Sequence, residues 1–232
     1  MPSDLAGLAA VLLDMDGTLV DTEGLWWEAV ADVAASLGRP LGPADLPHVQ
    51  GRTIEDVALH LLRPHPSTPA RTGSAGSAGS AGLVERLTGA FADRVGREVT
   101  IMPGAPELLA GLAATAIPTA LVSASPRSIV ELVLPRLGHA FDLVIANEDT
   151  SRGKPWPDPY LEAARRLGVT PSRCVAIEDS PAGIAAARAA GCRVLVASPE
   201  KGLPSLRSIR AWRAGHEGSM DEPARIRQPR NF

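Results

Sequence analysis

Short apolar runs alternate with helix-like segments along most of this chain, and the alternation predicts its fold. The first run spans Leu8 to Leu13, and the later ones span residues 118–122, 141–146, 175–177 and 193–197. Between the later runs, apolar residues recur at the spacing of amphipathic helices. Strands and helices that alternate in this way connect through right-handed crossovers. The sequence therefore predicts an α/β fold with a parallel, doubly wound sheet.

A region without strand patterns interrupts this alternation directly after the first strand. Residues 26–37, 53–62 and 83–95 each show helical spacing, and Thr53 is the predicted N-cap of the second helix. Residues 64–82 contain proline, threonine and a threefold Gly-Ser-Ala repeat. Because such a run buries too little apolar surface to offset the entropy lost on ordering, it predicts a flexible linker.

Composition is that of an ordinary globular protein. The 232 residues suffice for one core and a small accessory domain. The formal net charge of −3 argues neither for nor against a polyanionic partner, and we expect no nucleic acid to bind. Residues 201–232 carry seven basic and three acidic side chains and predict a basic, disordered tail, with at most a short helix near residues 203–212.

The cysteines and the apolar runs bear on the compartment. Cys174 and Cys192 each begin an apolar run, which is typical of buried thiols in a reducing compartment. We find no secretion-type signal at the start of the sequence and no apolar run long enough to span a bilayer. We therefore expect a cytoplasmic monomer without membrane association.

Polar side chains follow four of the predicted strands, at the end where open α/β sheets bind ligands. They are Asp14 and Asp16, then Ser123 and Ser125, then Lys154, then Glu178 and Asp179. Each is weak alone, since a serine after a strand is usually a turn former and a loop lysine is usually solvated. Four in succession along one edge of one sheet indicate a functional site.

The chemistry that these side chains permit together is narrow. Carboxylates this close repel one another unless a cation lies among them, and an all-oxygen site suits Mg²⁺. Such a cation and Lys154 would neutralise a phosphoryl group, so that one carboxylate can attack phosphorus. We therefore predict phosphoryl transfer through an aspartyl-phosphate, with Asp14 as nucleophile and Asp16 as general acid and base. Ser123 and the amides around residues 15–18 would hydrogen-bond the phosphate oxygens. Gly17, Thr18 and Ala124 are predicted substrate contacts on this side.

These segments resemble the four ordered motifs of the haloacid dehalogenase (HAD) superfamily of phosphohydrolases. They are Asp14-Met15-Asp16-Gly17-Thr18, Ser123, Lys154-Pro155 and Glu178-Asp179-Ser180. The likeness covers residues 8–198 and implies a Rossmann-like core over residues 1–23 and 99–200, with an all-α cap inserted at 24–98. It also implies that Mg²⁺ is held by Asp14, the backbone carbonyl of Asp16 and Asp179, sometimes with Glu178.

Residues 19–23 and 154–159 resemble the branch that holds β-phosphoglucomutase and the sugar-phosphate phosphatases. Haloacid dehalogenases proper lack an acid two residues after the nucleophile, so Asp16 argues against carbon–halogen hydrolysis. The mutases carry a histidine where this chain has Trp26. That difference favours a phosphatase acting on a small phosphorylated metabolite such as a sugar phosphate, with a mutase as the alternative.

Two further residues at the cleft between core and cap are predicted substrate contacts. Arg52 ends a short connector between cap helices, and Glu23 lies shortly before the first of these helices, at the cleft between cap and core. A solvated Arg52 fits the sequence equally well. Trp26 and Trp27 would line the same cleft, although aromatic residues at helical spacing more often belong to a core.

Two further interpretations come from other classes of protein. A signalling receiver module also combines acidic residues, Mg²⁺, a hydroxyl and a lysine on a parallel sheet. Its phosphate-accepting aspartate follows the third strand and its lysine comes last, whereas here Lys154 precedes Glu178 and Asp179. A non-catalytic binding member of the HAD superfamily is the other alternative, because residues 64–82 and the irregular tail depart from the usual family pattern.

Overall fold

The central strand β1, Ala10–Leu13, is fully buried, because another strand lies on each side of it and helices cover both faces of the sheet. The computed structural model describes residues 7–64, 77–198 and 202–211. Strand β1 pairs in parallel with β4, Thr119–Val122, and with β6, Cys174–Glu178. The outer strands are β5, Leu143–Ile145, beside β4, and β7, Arg193–Val196, beside β6. The order β5-β4-β1-β6-β7 confirms the predicted α/β fold with a parallel sheet.

Each face of this sheet buries its own hydrophobic cluster, because successive strand residues point to opposite faces. Val11 and Leu13 belong to one cluster, and Ala10 and Leu12 belong to the other. The first face is covered by helices α5, Ala105–Ala113, and α6, Arg127–Leu137. The second is covered by α7, Asp158–Leu167, and α8, Pro181–Ala189. Single turns of 3-10 helix occur at Asn147–Asp149 and Pro171–Arg173.

A helical insertion separates β1 from the rest of the sheet, as predicted. Its two ends are joined by a short antiparallel pair, β2, Val20–Asp21, and β3, Thr100–Ile101. This pair was not predicted from the sequence, because two residues show no periodicity. Between these strands the described residues form helices and a 3-10 turn: α1, Glu23–Ser36, the turn Pro43–Asp45, α2, Leu46–Val49, α3, Ile54–Leu62, and α4, Ser77–Glu98. The division into a core and a cap at residues 24–98 remains a prediction.

The predicted linker at residues 64–82 is wrong at its C-terminal end, since α4 already begins at Ser77. Residues 65–76 lie outside the described part of the chain. Farther along α4, Leu83, Leu87, Phe91 and Val95 are buried at helical spacing. Extending a helix that is already held by packing costs less than starting one. The small residues at the start of α4 are therefore helical despite their weak propensity.

The predicted disorder of residues 201–232 is wrong at its N-terminal end, whereas the short helix expected near residues 203–212 is confirmed. Helix α9, Leu206–Arg210, begins with Ser205 as its N-cap, and Ile209 is fully buried. Leu206 packs against α5 at Gly111, where an added Cβ would lie 3.0 Å from the leucine side chain. Residues 212–232 are outside the described ranges. Among the helices of the described residues, none is both long and apolar enough to cross a membrane.

Candidate active site

The loop that follows β1 carries two of the predicted catalytic residues and turns sharply at a glycine. Gly17 has a φ of +79° and donates its amide to the carbonyl of Val20. A Cβ at this position would lie 2.3 Å from Oδ2 of Asp179. Glycine is therefore required here both for the backbone conformation and for the close approach of Asp179. The predicted loop at the end of β1 packs directly against the loop that follows β6.

Lys154 connects three of the strand ends. Its Nζ donates to Oδ1 of Asp14 at 2.5 Å, to Oε1 of Glu178 at 2.6 Å and to the carbonyl of Val122 at 2.9 Å. A lysine ammonium group has three hydrogens, so all of its donors are used. Burial opposes its charge, but Asp14 and Glu178 outweigh this and raise the pKa of Lys154 well above its usual value. The raised pKa favours the charged form of the lysine, and its three hydrogen bonds hold the ammonium group beside Asp14.

Asp14, Glu178 and Asp179 form a buried acidic group. Each can offer one oxygen such that the three oxygens lie within 4.8 Å of one another. Burial, followed by the charge of Glu178, raises the pKa of Asp14 well above its usual value. Burial also raises the pKa of Asp179, although Thr18 Oγ1 donates to its Oδ1 at 2.8 Å. A divalent cation among these oxygens would relieve both effects, and an all-oxygen donor set fits Mg²⁺.

The Asp16 carboxylate is held apart from this acidic group by three hydroxyl donors. Thr22 Oγ1 donates to Oδ1 at 2.8 Å, while Ser123 Oγ and Ser125 Oγ donate to Oδ2 at 3.1 and 2.9 Å. Ser123 Oγ also accepts a hydrogen bond from the amide of Ser125. The structure thus gives Asp16 a fixed carboxylate at the cavity wall. A metal contact from this residue would come from its backbone carbonyl, as the family resemblance implies.

A cavity of about 430 Å³ lies between these loops and the helical insertion. Trp26 and Phe91 form part of its wall and meet edge to face, with ring centroids 5.2 Å apart. The indole nitrogen of Trp26 donates to the carbonyl of Val49 at 3.0 Å. Arg52 is exposed at the rim, where its Nε donates to the carbonyl of Pro47. A small organic molecule fits such a volume.

The structure brings most of the predicted site residues to this cavity. Those that line it are Asp14, Asp16, Gly17, Glu23, Arg52, Ala124, Lys154 and Asp179. Three other predicted site residues lie buried behind the residues that line the cavity. Thr18 is fully buried with its hydroxyl on Asp179, Ser123 is buried against Asp16, and Glu178 is fully buried under Lys154. For Thr18 and Ser123, the side chain thus orients a carboxylate instead of facing the cavity. Trp27 packs against the hydrophobic cluster and does not line the cavity.

Several contacts of the site were not predicted from the sequence. Thr22 binds Asp16, Tyr160 binds Glu178, and Phe91 faces Trp26 across the cavity wall. Ser125 follows its strand as predicted, but nothing in the sequence indicated its hydrogen bond to Asp16. For Thr22 the signal was its place six residues after Asp16 in a motif-bearing loop. For Tyr160 and Phe91 the sequence shows only apolar helix positions, which are common to any core.

The chain resembles known proteins over most of its length. A family model described as haloacid dehalogenase-like hydrolase matches residues 8–191. Hexitol phosphatase B of Escherichia coli is 35% identical over 198 residues, which are 83% of this chain and 85% of that protein. The phosphorylated carbohydrates phosphatase of Thermotoga maritima is 31% identical over 194 residues, 79% of this chain and 82% of its own. The crystal structure of CbbY from Rhodobacter sphaeroides in complex with phosphate has a TM-score of 0.71 and 29% identity, covering 82% of this chain and 86% of that one.

Proposed function

Because the chain belongs to the haloacid dehalogenase-like hydrolase family, we propose that it is a Mg²⁺-dependent phosphatase of a small phosphorylated metabolite. The observation that carries this proposal is the contact between Lys154 Nζ and Asp14 Oδ1 at the acidic end of the cavity. A buried carboxylate beside a fixed cation is arranged to attack a phosphoryl group whose charge the cation offsets. Together with relatives that are named phosphatases, the family places the protein among the HAD-type phosphatases.

The metal would be held by Asp14, Asp179 and the backbone carbonyl of Asp16, with Glu178 as the further candidate. When bound, Mg²⁺ would offset the charge of the phosphoryl oxygens and favour the ionised form of Asp14. The buried all-oxygen group of Asp14, Glu178 and Asp179 supports this assignment. The magnesium dependence is therefore a prediction from the donor set.

The protein residues divide the two chemical steps between them. An oxygen of Asp14 forms a bond to phosphorus while the bond from phosphorus to the leaving oxygen breaks, and Asp16 gives that oxygen a proton. Asp16 then takes a proton from water as the water oxygen attacks phosphorus. The bond from phosphorus to Asp14 breaks, which releases phosphate and restores the carboxylate. Lys154 stays charged and compensates Asp14 throughout.

The hydroxyls of Thr22, Ser123 and Ser125 position the Asp16 carboxylate for its two proton transfers. They hold the Asp16 carboxylate through three hydrogen bonds, so that it is oriented before substrate arrives. We propose that this arrangement orients the general acid and base. A phosphate contact from Ser123, as predicted from the sequence, would require its hydroxyl to leave Asp16.

Trp26 supports a phosphatase that hydrolyses a sugar phosphate over a mutase that isomerises it. Its indole nitrogen donates to Val49 and is committed to the insertion's own backbone. An indole also has no acceptor nitrogen with which to take up a proton. The position therefore supplies no base to the cavity. We propose a sugar phosphate or related alditol phosphate as substrate, supported by the relatives that are phosphatases of hexitols and of phosphorylated carbohydrates.

The cysteines bear on the cellular compartment of the reaction. Both cysteines are free thiols and are buried, which supports a reducing compartment such as the cytoplasm. We propose that the protein acts there as a monomer, with small metabolites and no nucleic acid or membrane as partners. Gel filtration with light scattering would measure the oligomeric state.

A substrate screen tests the proposed function. Purified protein is incubated with hexose, pentose and alditol monophosphates and with p-nitrophenyl phosphate, and released phosphate is measured with Mg²⁺ or with EDTA. We expect release from at least one sugar or alditol phosphate with Mg²⁺, and its loss with EDTA. No release from any compound would refute the proposal. Isomerisation of β-glucose 1-phosphate faster than its hydrolysis would show a mutase instead.

A further inference from the structure

Tyr160, the only tyrosine of the chain, lies directly behind the proposed active site. It belongs to α7 and is fully buried. Its hydroxyl donates to Oε1 of Glu178 at 2.7 Å, and Lys154 Nζ lies 5.4 Å from the centre of its ring. A phenol carries its proton near neutral pH, and a carboxylate can only accept, so the Tyr160 hydroxyl is the donor in this contact.

The Glu178 carboxylate has no capacity left for a further partner. Its Oε1 accepts from Lys154 and Tyr160, and its Oε2 accepts from the amide and the hydroxyl of Ser180. A carboxylate offers about four acceptor positions, and here four protein donors fill them. A metal ion could bind Glu178 only by displacing one of these donors.

Helix α8 also confines the carboxylate of Glu178. A Cβ at Gly183 would lie 1.8 Å from Oε1 and 2.2 Å from Oε2, so the carboxylate occupies the space that a side chain would need. Gly183 therefore forms one wall of the Glu178 site. Asp14 differs from Glu178 in the number of hydrogen bonds that its carboxylate accepts. Among the described residues it receives one side-chain hydrogen bond, from Lys154, and that bond goes to Oδ1.

We propose that Tyr160 is a positioning residue whose hydroxyl holds Glu178 as the anchor of Lys154. In this arrangement Glu178 binds and positions the Lys154 ammonium group, and the carboxylate ligands of the metal come from Asp14 and Asp179. Lys154 donates its three hydrogens to Asp14, Glu178 and the carbonyl of Val122. A Glu178 carboxylate that is held in place therefore also holds the ammonium group beside Asp14. The inference rests on the proposed function for its catalytic consequence, but its structural part stands without activity.

The structural part is tested by NMR on metal-free protein labelled with ¹³Cζ-tyrosine, which gives one signal. We expect Glu178→Gln to move this signal, because it replaces the acceptor of the tyrosine hydroxyl by a neutral amide. Addition of Mg²⁺ to the unmodified chain should leave the signal in place, because Glu178 stays on the tyrosine. A Mg²⁺-induced shift as large as that caused by Glu178→Gln would overturn the proposal.

Metal affinity provides the second test, by calorimetric titration of Mg²⁺ into metal-free protein. We expect Asp179→Asn, which removes a ligand, to weaken binding by at least about tenfold more than Glu178→Gln, which alters a neighbouring group. Equal losses in the two variants would make Glu178 a metal ligand and contradict the proposal. Absence of Mg²⁺ binding in the unmodified protein would count against the proposed function, while the effect of Glu178→Gln on the tyrosine signal would still be readable.

Kinetics on Tyr160→Phe test the catalytic consequence, since this change removes the hydroxyl and keeps the ring. We expect kcat for p-nitrophenyl phosphate to fall about tenfold, with KM and the Mg²⁺ dissociation constant unchanged. Leu161→Ala, at an exposed neighbouring position of α7, is the control and should leave kcat unchanged. A merely structural tyrosine would lower the melting temperature in Tyr160→Phe without this loss of kcat, and that result would refute the positioning role.

Discussion

Lys154 and Asp14 lie 140 residues apart in the chain, yet Nζ of the lysine donates to Oδ1 of the aspartate at 2.5 Å. The contact forms because β1 and the loop after β5 both end at the same edge of a parallel sheet. Both side chains are nearly inaccessible, at 5% and 7% exposure. The pair is therefore shielded from solvent, and each charge depends on the other.

Lys154→Met should damage both activity and stability. It leaves Asp14 and Glu178 as buried carboxylates without their cation, which costs about 3–5 kcal/mol of unfolding free energy. Turnover should fall by about 10²–10³-fold, because the developing phosphoryl charge loses a fixed partner. Urea unfolding and initial rates measure the two effects.

The matched control is Arg152→Met in the same loop, which removes an exposed cation paired with Asp158 and should change stability by less than about 1 kcal/mol. Equal effects of the two variants would contradict the assignment.

Asp16→Ala should slow both chemical steps, since the same carboxylate serves as acid and then as base. We expect kcat to fall by about 10²–10⁴-fold while Mg²⁺ affinity stays near its original value. Thr22→Val removes one of the three hydroxyl donors to Asp16 and should cause a smaller loss in kcat of about tenfold or less. Rapid-quench kinetics and Mg²⁺ titration make the measurement. If Asp16→Ala altered only the metal affinity, the acid and base role would be wrong.

Gly17→Ala should abolish activity through Asp179. The new Cβ would meet the Asp179 carboxylate at 2.3 Å and force it to move. Gly38→Ala is a matched control, because Gly38 has a similar φ of +73° but a Cβ added there would meet nothing within 4 Å. Both changes should cost about 1–2 kcal/mol of backbone strain. Only Gly17→Ala should also weaken Mg²⁺ binding in a calorimetric titration, and preserved binding would argue against Asp179 as a ligand.

A buried charged cluster in the insertion should make its stability depend on pH. Burial opposes the charge of Asp45, but hydrogen bonds from the Gly42 amide and His60, with the charge of Arg39, lower its pKa below the usual value. A lowered pKa in the folded state stabilises the fold above the unfolded pKa of about 4, and this stability is lost as pH falls through the folded pKa. Asp45→Asn should therefore cost about 2 kcal/mol at pH 7 and progressively less below pH 4. Urea unfolding of both proteins across this range would reveal the change, and a constant difference would contradict it.

The sequence was sufficient to predict the sheet and the residues at its edge, for a physical reason. Parallel strands must place their carboxyl ends together, so Asp14, Lys154 and Asp179 had to meet once the strands were recognised. The roles of Thr18, Ser123 and Tyr160 were not predictable, because they depend on distances between elements that are far apart in the chain. The helical start of α4 was also missed, since its local composition is weak and packing along the rest of the helix decides the outcome.

The most direct test of the central claim is whether Asp14 itself receives the phosphoryl group. A single turnover with excess enzyme is quenched in acid, and the peptide that contains Asp14 is examined by mass spectrometry. We predict a phosphoryl group on Asp14 that appears and decays with the kinetics of phosphate release, and neither adduct nor turnover in Asp14→Asn. Full phosphate release with an unmodified Asp14 peptide at every time point, together with retained turnover in Asp14→Asn, would contradict the account.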